Sequence, residues 1–169
     1  MQTCIIETPL GPMRAAAEAE ALQGLWFVGQ TYFPPQTDTW REQPDYPVFT
    51  LLRTWLRAYF FGNPPSTELS LAPQGSPFRL WVWQILREIP YGHTRTYGAI
   101  ARQIVEEQAL PALSAQAVGA AVGHNPISLI IPCHRVLGVR GRLTGYAGGI
   151  EKKQALLAGE QGCRPWASA

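Results

Sequence analysis

Residues 62–75, GNPPSTELSLAPQG, hold three prolines and two glycines. Proline cannot continue a helix and is kept out of sheet interiors. The stretch therefore reads as a linker, and it divides the 169-residue chain into two units that must each bury apolar surface. The expected division is a first domain over 1–74, linker included, and a second over 75–169. A chain of this length can bury a sizeable core.

Before the linker, QTCIIET is rich in β-formers, PLGP is a turn, and MRAAAE and GLWFVGQ read as two more strands. TYFPPQTDTWREQPDYP reads as irregular. Val48, Leu51, Leu52, Trp55, Leu56, Tyr59 and Phe60 then recur at helical spacing, with Arg53 and Arg57 opposite and Gly62 as the stop. After the linker, Ser76 caps a helix with Pro77 in its first turn and an apolar stripe from Phe78 to Ile89. Thr96 caps a second helix from Tyr97 to about Val105. Ser114 caps a third that ends at Gly123. Two short helices across a turn make a helix-turn-helix, a unit that docks DNA in some proteins and is only structural in others. HNPISLIIPCHRV reads as a turn and a short buried strand, GRLTGYAGG as a glycine-rich turn, and IEKKQALLAGE as a last helix with Gly159 at its end.

Composition narrows the function. The apolar runs are too short to cross a bilayer, and MQTCIIETPLGPM lacks the basic-then-apolar order of a secretory signal, so no membrane partner is expected. The cysteines Cys4, Cys133 and Cys163 are odd in number and form no CxxC pair. A reducing, cytoplasmic setting without disulfides is expected, and the histidines add no zinc-finger spacing, so neither metal nor cofactor is expected. Residues 1–74 carry four Arg against seven acidic residues, −3 in all, whereas residues 75–169 carry ten Lys or Arg against five Glu, +5 in all. That asymmetry suits an anion meeting the second half; a solvated basic face explains it equally well.

IIPCHRV places Cys133 beside His134 among aliphatic residues. An apolar pocket disfavours a thiolate, so a reactive cysteine there needs a coupled proton acceptor. In an extended strand, neighbours point to opposite faces. His134 thus reaches Cys133 either through a bend after Pro132 or through a water. A histidine in that role needs its other nitrogen oriented, and Glu160 is a candidate for the task. The competing reading is an inert buried cysteine beside a satisfied core histidine.

Between these readings a resemblance decides. IPCHRV, with NP upstream and GYAGG downstream, closely resembles the O6-alkylguanine-DNA alkyltransferases, which repair alkylated bases in DNA. SPFRLWVWQILREIPYGHTRTYGAIA resembles that family's entry into its helix-turn-helix, and AVGAAVGHNPISLIIPCHRV its recognition helix and active-site strand; the likeness covers roughly residues 76–160. It implies an α+β fold. A small ribonuclease-H-like α/β domain would be followed by a mostly helical, winged-helix-like domain. It implies single-turnover transfer of an alkyl group from O6-alkylguanine, and from O4-alkylthymine, to Cys133 after base flipping from the minor groove. Double-stranded DNA is the implied partner, and a monomer the implied acting form. His134 would be the base through a water, Glu160 its orienter, Tyr97 a neighbour of the flipped base or its 3′ phosphate, and Asn125 the brace of the pocket turn. Backbone at Cys133, Val136 and Ala147 would read the guanine edge. Tyr146, Gly148 and Gly149 would wall the pocket, and Gln116, Ala117, Gly119, Ala120, Val122 and Arg135 would meet DNA.

The small residues of the helix 115–123 suit either close approach to a minor groove or tight helix packing. This sequence departs from the family in two places. Gln116 stands where the family has an arginine that fills the gap left by the flipped base, and EEQALPAL, between the two helices, is longer than usual. Two rivals of other classes stay open: a damage-binding protein without catalysis, which the presence of Cys133 opposes, and a thiol hydrolase, which lacks a visible oxyanion hole.

Overall fold

A computed structural model describes residues 1–63 and 68–166. Residues 64–67 of the expected linker lie outside the described residues. The first half is built on a four-stranded sheet: β1 (Gln2–Ile6), β2 (Met13–Glu18), β3 (Ala21–Phe27) and β4 (Arg41–Glu42), in the order β3-β2-β1-β4. β1, β2 and β3 form an antiparallel meander, and β4 joins β1 in parallel. The fourth strand lies inside the segment expected to be irregular. Its charged pair Arg41–Glu42 gives no apolar alternation to read. The same segment lays Phe33 and Trp40 against Trp26, at ring-centroid distances of 6.3 and 6.0 Å.

α1 (Pro47–Phe60) starts at a proline in its first turn and buries Val48, Phe49, Leu52, Leu56, Tyr59 and Phe60. Gly62, at φ +81°, ends it in the left-handed conformation that glycine tolerates best. The second half holds α2 (Pro77–Arg87), β5 (Arg95–Thr96), α3 (Tyr97–Gln108), α4 (Ala115–Gly123), β6 (Val136–Leu137) and α5 (Ile150–Glu160). Ser76, Thr96 and Ser114 each accept a hydrogen bond from the backbone N–H three residues on. α3 runs through Glu106–Gln108 before Ala109 turns left-handed at φ 50°. The long connection expected at 106–113 thus begins three residues later. α5 continues past Gly159, the expected end, to Glu160.

The halves share one core. Leu25 N–H of β3 donates to Pro126 O at 2.8 Å, and Ser128 N–H donates back to Leu25 O at 2.9 Å. The buried set from Cys4 and Met13 through Leu56, Ile85 and Ile104 to Leu129 and Leu156 is continuous. Among the described residues no helix is long and apolar enough to cross a membrane.

Candidate active site

The segment Ile127–Pro132 is not the buried strand expected. Ile127 bridges to Leu25 and the chain then turns, with Leu129 at φ 71°, before Cys133–Arg135 form one turn of 3₁₀ helix. The cause lies in Asn125. Its Nδ2 donates to Ile131 O at 2.8 Å and to Cys133 Sγ at 3.0 Å, while its Oδ1 accepts from Ile127 N–H at 3.0 Å. A side chain that takes over backbone hydrogen bonds in this way closes the turn and competes with a sheet ladder.

The 3₁₀ turn separates its residues. Cys133 lines a cleft of about 900 Å³, together with Tyr97, Asn125 and Ser128. His134 points the other way and is wholly buried. Its Nε2 lies 2.7 Å from Glu160 Oε1 at the end of α5. A carboxylate only accepts, so Nε2 carries the hydrogen and Nδ1 is left as an acceptor. Nδ1 is buried and has no hydrogen-bond partner among the described residues.

Glu160 gathers donors from four places. Besides His134 they are Arg135 (Nε to Oε2 at 3.0 Å, Nη2 to Oε1 at 3.0 Å), Gly92 N–H at 3.0 Å, and the Tyr59 hydroxyl at 2.7 Å. Burial alone would raise the Glu160 carboxyl; the His134 hydrogen bond, the charge that ring gains once acid protonates it, and the hydrogen bonds and charge of Arg135 outweigh it and hold the group at about 2. Burial lowers the His134 pKa against the pull of Glu160, so the resting ring is neutral. Burial also raises the Cys133 thiol, opposed by the Asn125 hydrogen bond and the Lys153 charge. Lys153 is itself fully buried and lowered to about 8 by that burial; its Nζ donates to Val136 O at 2.6 Å and Thr144 O at 3.3 Å.

This is a thiol at the floor of an open cleft, backed by a neutral imidazole and a firmly ionised carboxylate. Comparison with known proteins gives the arrangement a context. Residues 77–162 match the model of the 6-O-methylguanine DNA methyltransferase DNA binding domain, and residues 2–73 that of the ribonuclease-like domain of the same enzymes. The chain belongs to the 6-O-methylguanine DNA methyltransferase family. It is 44% identical over 156 residues to a methylated-DNA–protein-cysteine methyltransferase of Mycolicibacterium paratuberculosis, covering 92% of this chain and 90% of that one. It is 42% identical over 163 residues to the protein of that name from Methanosarcina acetivorans, covering 96% and 100%. The crystal structure of Mycobacterium tuberculosis OGT in complex with DNA superposes with a TM-score of 0.86 at 41% identity, covering 98% of this chain and 96% of that one.

Within this 6-O-methylguanine DNA methyltransferase family fold, the cleft gathers part of the residue set expected from the sequence. Gln116, Gly119, Ala120 and Val122 line it from α4, and Tyr146 and Ala147 from the opposite loop. Ala117, Arg135, Val136 and Gly148 do not. Arg135 differs most from its expected role: it is buried, its guanidinium spent on Glu160 and on Ile89 O at 2.7 Å, and it does not line the cleft. Gly148 packs under Phe27, where a Cβ would come within 2.9 Å of the ring, and Gly149 caps α5 at φ 97°. The carbonyls of Cys133, Val136 and Ala147 each already accept one donor, from Val136 N–H, Lys153 and Thr31 N–H, and keep a second lone pair. The small residues of α4 divide between two faces of the helix. Ala121 packs inward, its carbonyl accepting from Trp83 Nε1 at 2.9 Å, whereas Gly119 and Ala120 face the cleft.

Four groups escaped the sequence reading. Tyr59 reads as a member of a helical stripe and Lys153 as one residue of the last helix, and only the fold brings them to Glu160 and Cys133. Tyr32 and Arg140 reach the cleft from loops, both with positive φ. The sequence did carry one signal for the second loop: GVRGR sets Val139, 76% exposed, among glycines and arginines.

Proposed function

We propose that this protein repairs DNA by moving the alkyl group of O6-alkylguanine, and of O4-alkylthymine, onto Cys133. The observation that carries the reading is the position of Cys133, its sulfur in the cleft and its backbone joined to the His134–Glu160 pair. The alkylated base lies inside the duplex, so it turns out through the minor groove to reach the sulfur. Asn125 holds Sγ at 3.0 Å and stabilises the thiolate as it forms. The thiol proton passes through a water to His134 Nδ1, and Glu160 stabilises the resulting imidazolium. The sulfur attacks the alkyl carbon, the carbon–O6 bond breaks as the carbon–sulfur bond forms, and the guanine, leaving with the bonding electrons, takes a proton by way of the Tyr97 hydroxyl while the proton held on His134 returns to water. The thioether resists hydrolysis, so each molecule acts once. Residues 75–169 carry the chemistry and most of the cleft, residues 1–74 support them and add Thr31 and Tyr32 to its lining, and a monomer suffices.

Intact mass after incubation with methylated DNA tests this. The expected result is a gain of one alkyl group per molecule, mapped to Cys133 and absent in Cys133→Ser, with DNA binding retained. DNA binding without mass gain in the wild type would mean recognition alone. Repeated turnover would mean a hydrolase.

A further inference from the structure

Tyr32 sits in the first half, outside the helix-turn-helix, yet it lines the cleft that holds Cys133. Its ring stacks on that of His124, with centroids 3.9 Å apart and planes 24° from parallel. His124 caps the C-terminus of α4, and its Nδ1 is 2.8 Å from Ala120 O, which fixes the imidazole against the helix. The other face of Tyr32 is open; the residue is 58% exposed. Its backbone is held at φ 61°, in the left-handed region that a tyrosine rarely adopts. The surrounding turn enforces this. Phe33 N–H donates to Gln30 O at 3.2 Å, and Thr31 N–H reaches across to Ala147 O at 3.0 Å, on the far wall of the cleft. An exposed aromatic in a costly backbone conformation gains little for stability. It gains more from a partner that uses its free face.

We propose that Tyr32 is a positioning residue for DNA: its free face stacks on a nucleobase at the cleft mouth, with His124 as the backing that keeps the ring in place. The partner chemistry is a flat π system beside a phosphate backbone, since Arg102 and Arg140 line the same cleft. This gives the first half a direct part in binding DNA. It rests on the alkyl-transfer reading above, and the wild-type mass gain tests that reading separately.

Two variants separate the ring from the backbone. Tyr32→Phe keeps the stacking face and should behave as wild type. Tyr32→Gly removes the ring and suits φ 61°, so it should fold at least as stably. In single-turnover transfer, Tyr32→Gly should raise the half-saturating concentration of methylated duplex roughly tenfold, the scale of one lost base–aromatic stack. The maximal rate, and the rate with free alkylated guanine base, should stay at wild-type values. An unchanged half-saturation in Tyr32→Gly would overturn the proposal. So would a parallel loss with the free base, which would make Tyr32 a support of the pocket, or an equal defect in Tyr32→Phe. If wild type itself gains no alkyl group, the alkyl-transfer reading fails, and duplex affinity of the same variants still decides the role of Tyr32.

Discussion

Glu160 accepts hydrogen bonds from four residues, at 2.7–3.0 Å for the shortest from each, while Gln116, Arg102 and Arg140 on the cleft rim make no side-chain hydrogen bond among the described residues. The first region is buried and charged, and its carboxylate is fully engaged. The second is open, and its polar groups wait for a partner. A buried ionic cluster loses heavily when one member is removed, because the others keep their charge without compensation. An open rim tolerates change, because water replaces what is lost. Substitutions in the relay should therefore alter folding and chemistry together, and those on the rim should alter only what binds.

The largest effect should come from Glu160→Gln. It leaves the Arg135 guanidinium buried without its anion, a loss of roughly 3–5 kcal/mol in stability, and it withdraws the group that orients His134. The transfer step should slow by roughly a hundredfold. His134→Asn keeps the Arg135–Glu160 pair, so it should slow transfer to a similar degree with much less loss of stability. In both variants, raising the pH should restore part of the rate, because solvent then removes the thiol proton. Recovery should extend beyond the ordinary thiol range, since burial raises Cys133. Acid denaturation sharpens the point. The folded Glu160 carboxyl titrates at about 2, below its ordinary 4.5, so its contribution is complete above the ordinary value and is lost as pH falls toward 2. Glu160→Gln should lack that segment of the curve. Equal transfer rates at every pH in His134→Asn and wild type would remove the relay from the mechanism.

A smaller effect is expected at Tyr59, where the first half reaches the relay. Its hydroxyl donates to Glu160 Oε1 at 2.7 Å and lies 3.2 Å from His134 Nε2. Tyr59→Phe removes one donor to a charged group, worth roughly 1.5–3 kcal/mol, and keeps the stacking with Trp55 at 5.4 Å. Chemical denaturation should show that loss. The transfer rate should fall several-fold with DNA affinity unchanged. A change in affinity instead would mean that the relay and the DNA surface are not separable.

The contrast also explains what could be read from the sequence. The caps Ser76, Thr96 and Ser114 and the stripes of α1 and α2 are local patterns, and the structure matches them except in α1, where Leu51 of the expected stripe is 49% exposed and Phe49, outside it, is buried. Chemistry alone made Glu160 a candidate partner of His134 and the resemblance favoured it, but no local pattern joins them, because they lie 26 residues apart along the chain. The strand expected within HNPISLIIPCHRV failed for a reason that periodicity does not contain: Asn125 supplies hydrogen bonds that a sheet neighbour would have supplied. Arg135 was assigned to DNA because its charge is visible and its burial is not. β4 and Tyr32 were missed because two charged residues and one aromatic in a proline-rich stretch carry no period. What is local and repeated is readable; what depends on a single long-range hydrogen bond is not.

Gln116 offers the mildest and most selective way to change the rim. It is exposed in the first turn of α4 and lines the cleft with Cys133. When a base leaves the duplex, the unstacked gap costs a few kcal/mol unless a side chain fills it. Glutamine is flat at its tip but short and neutral. Arginine extends further, presents a planar guanidinium that stacks on bases, and attracts phosphate and acceptor groups. Gln116→Arg should therefore bind methylated duplex more tightly and steepen the salt dependence of binding by about one phosphate contact. Single-turnover transfer on duplex should speed up by a few-fold, whereas the rate with free alkylated guanine should not change, since no gap has to be filled. The side chain points away from the buried relay, so thermal stability should also stay within about 0.5 kcal/mol of wild type. The ratio of duplex rate to free-base rate isolates the effect. If Gln116→Arg leaves that ratio and the salt slope unchanged, Gln116 does not stand in the gap, and the Val139–Arg140 loop across the cleft becomes the group that holds the duplex open.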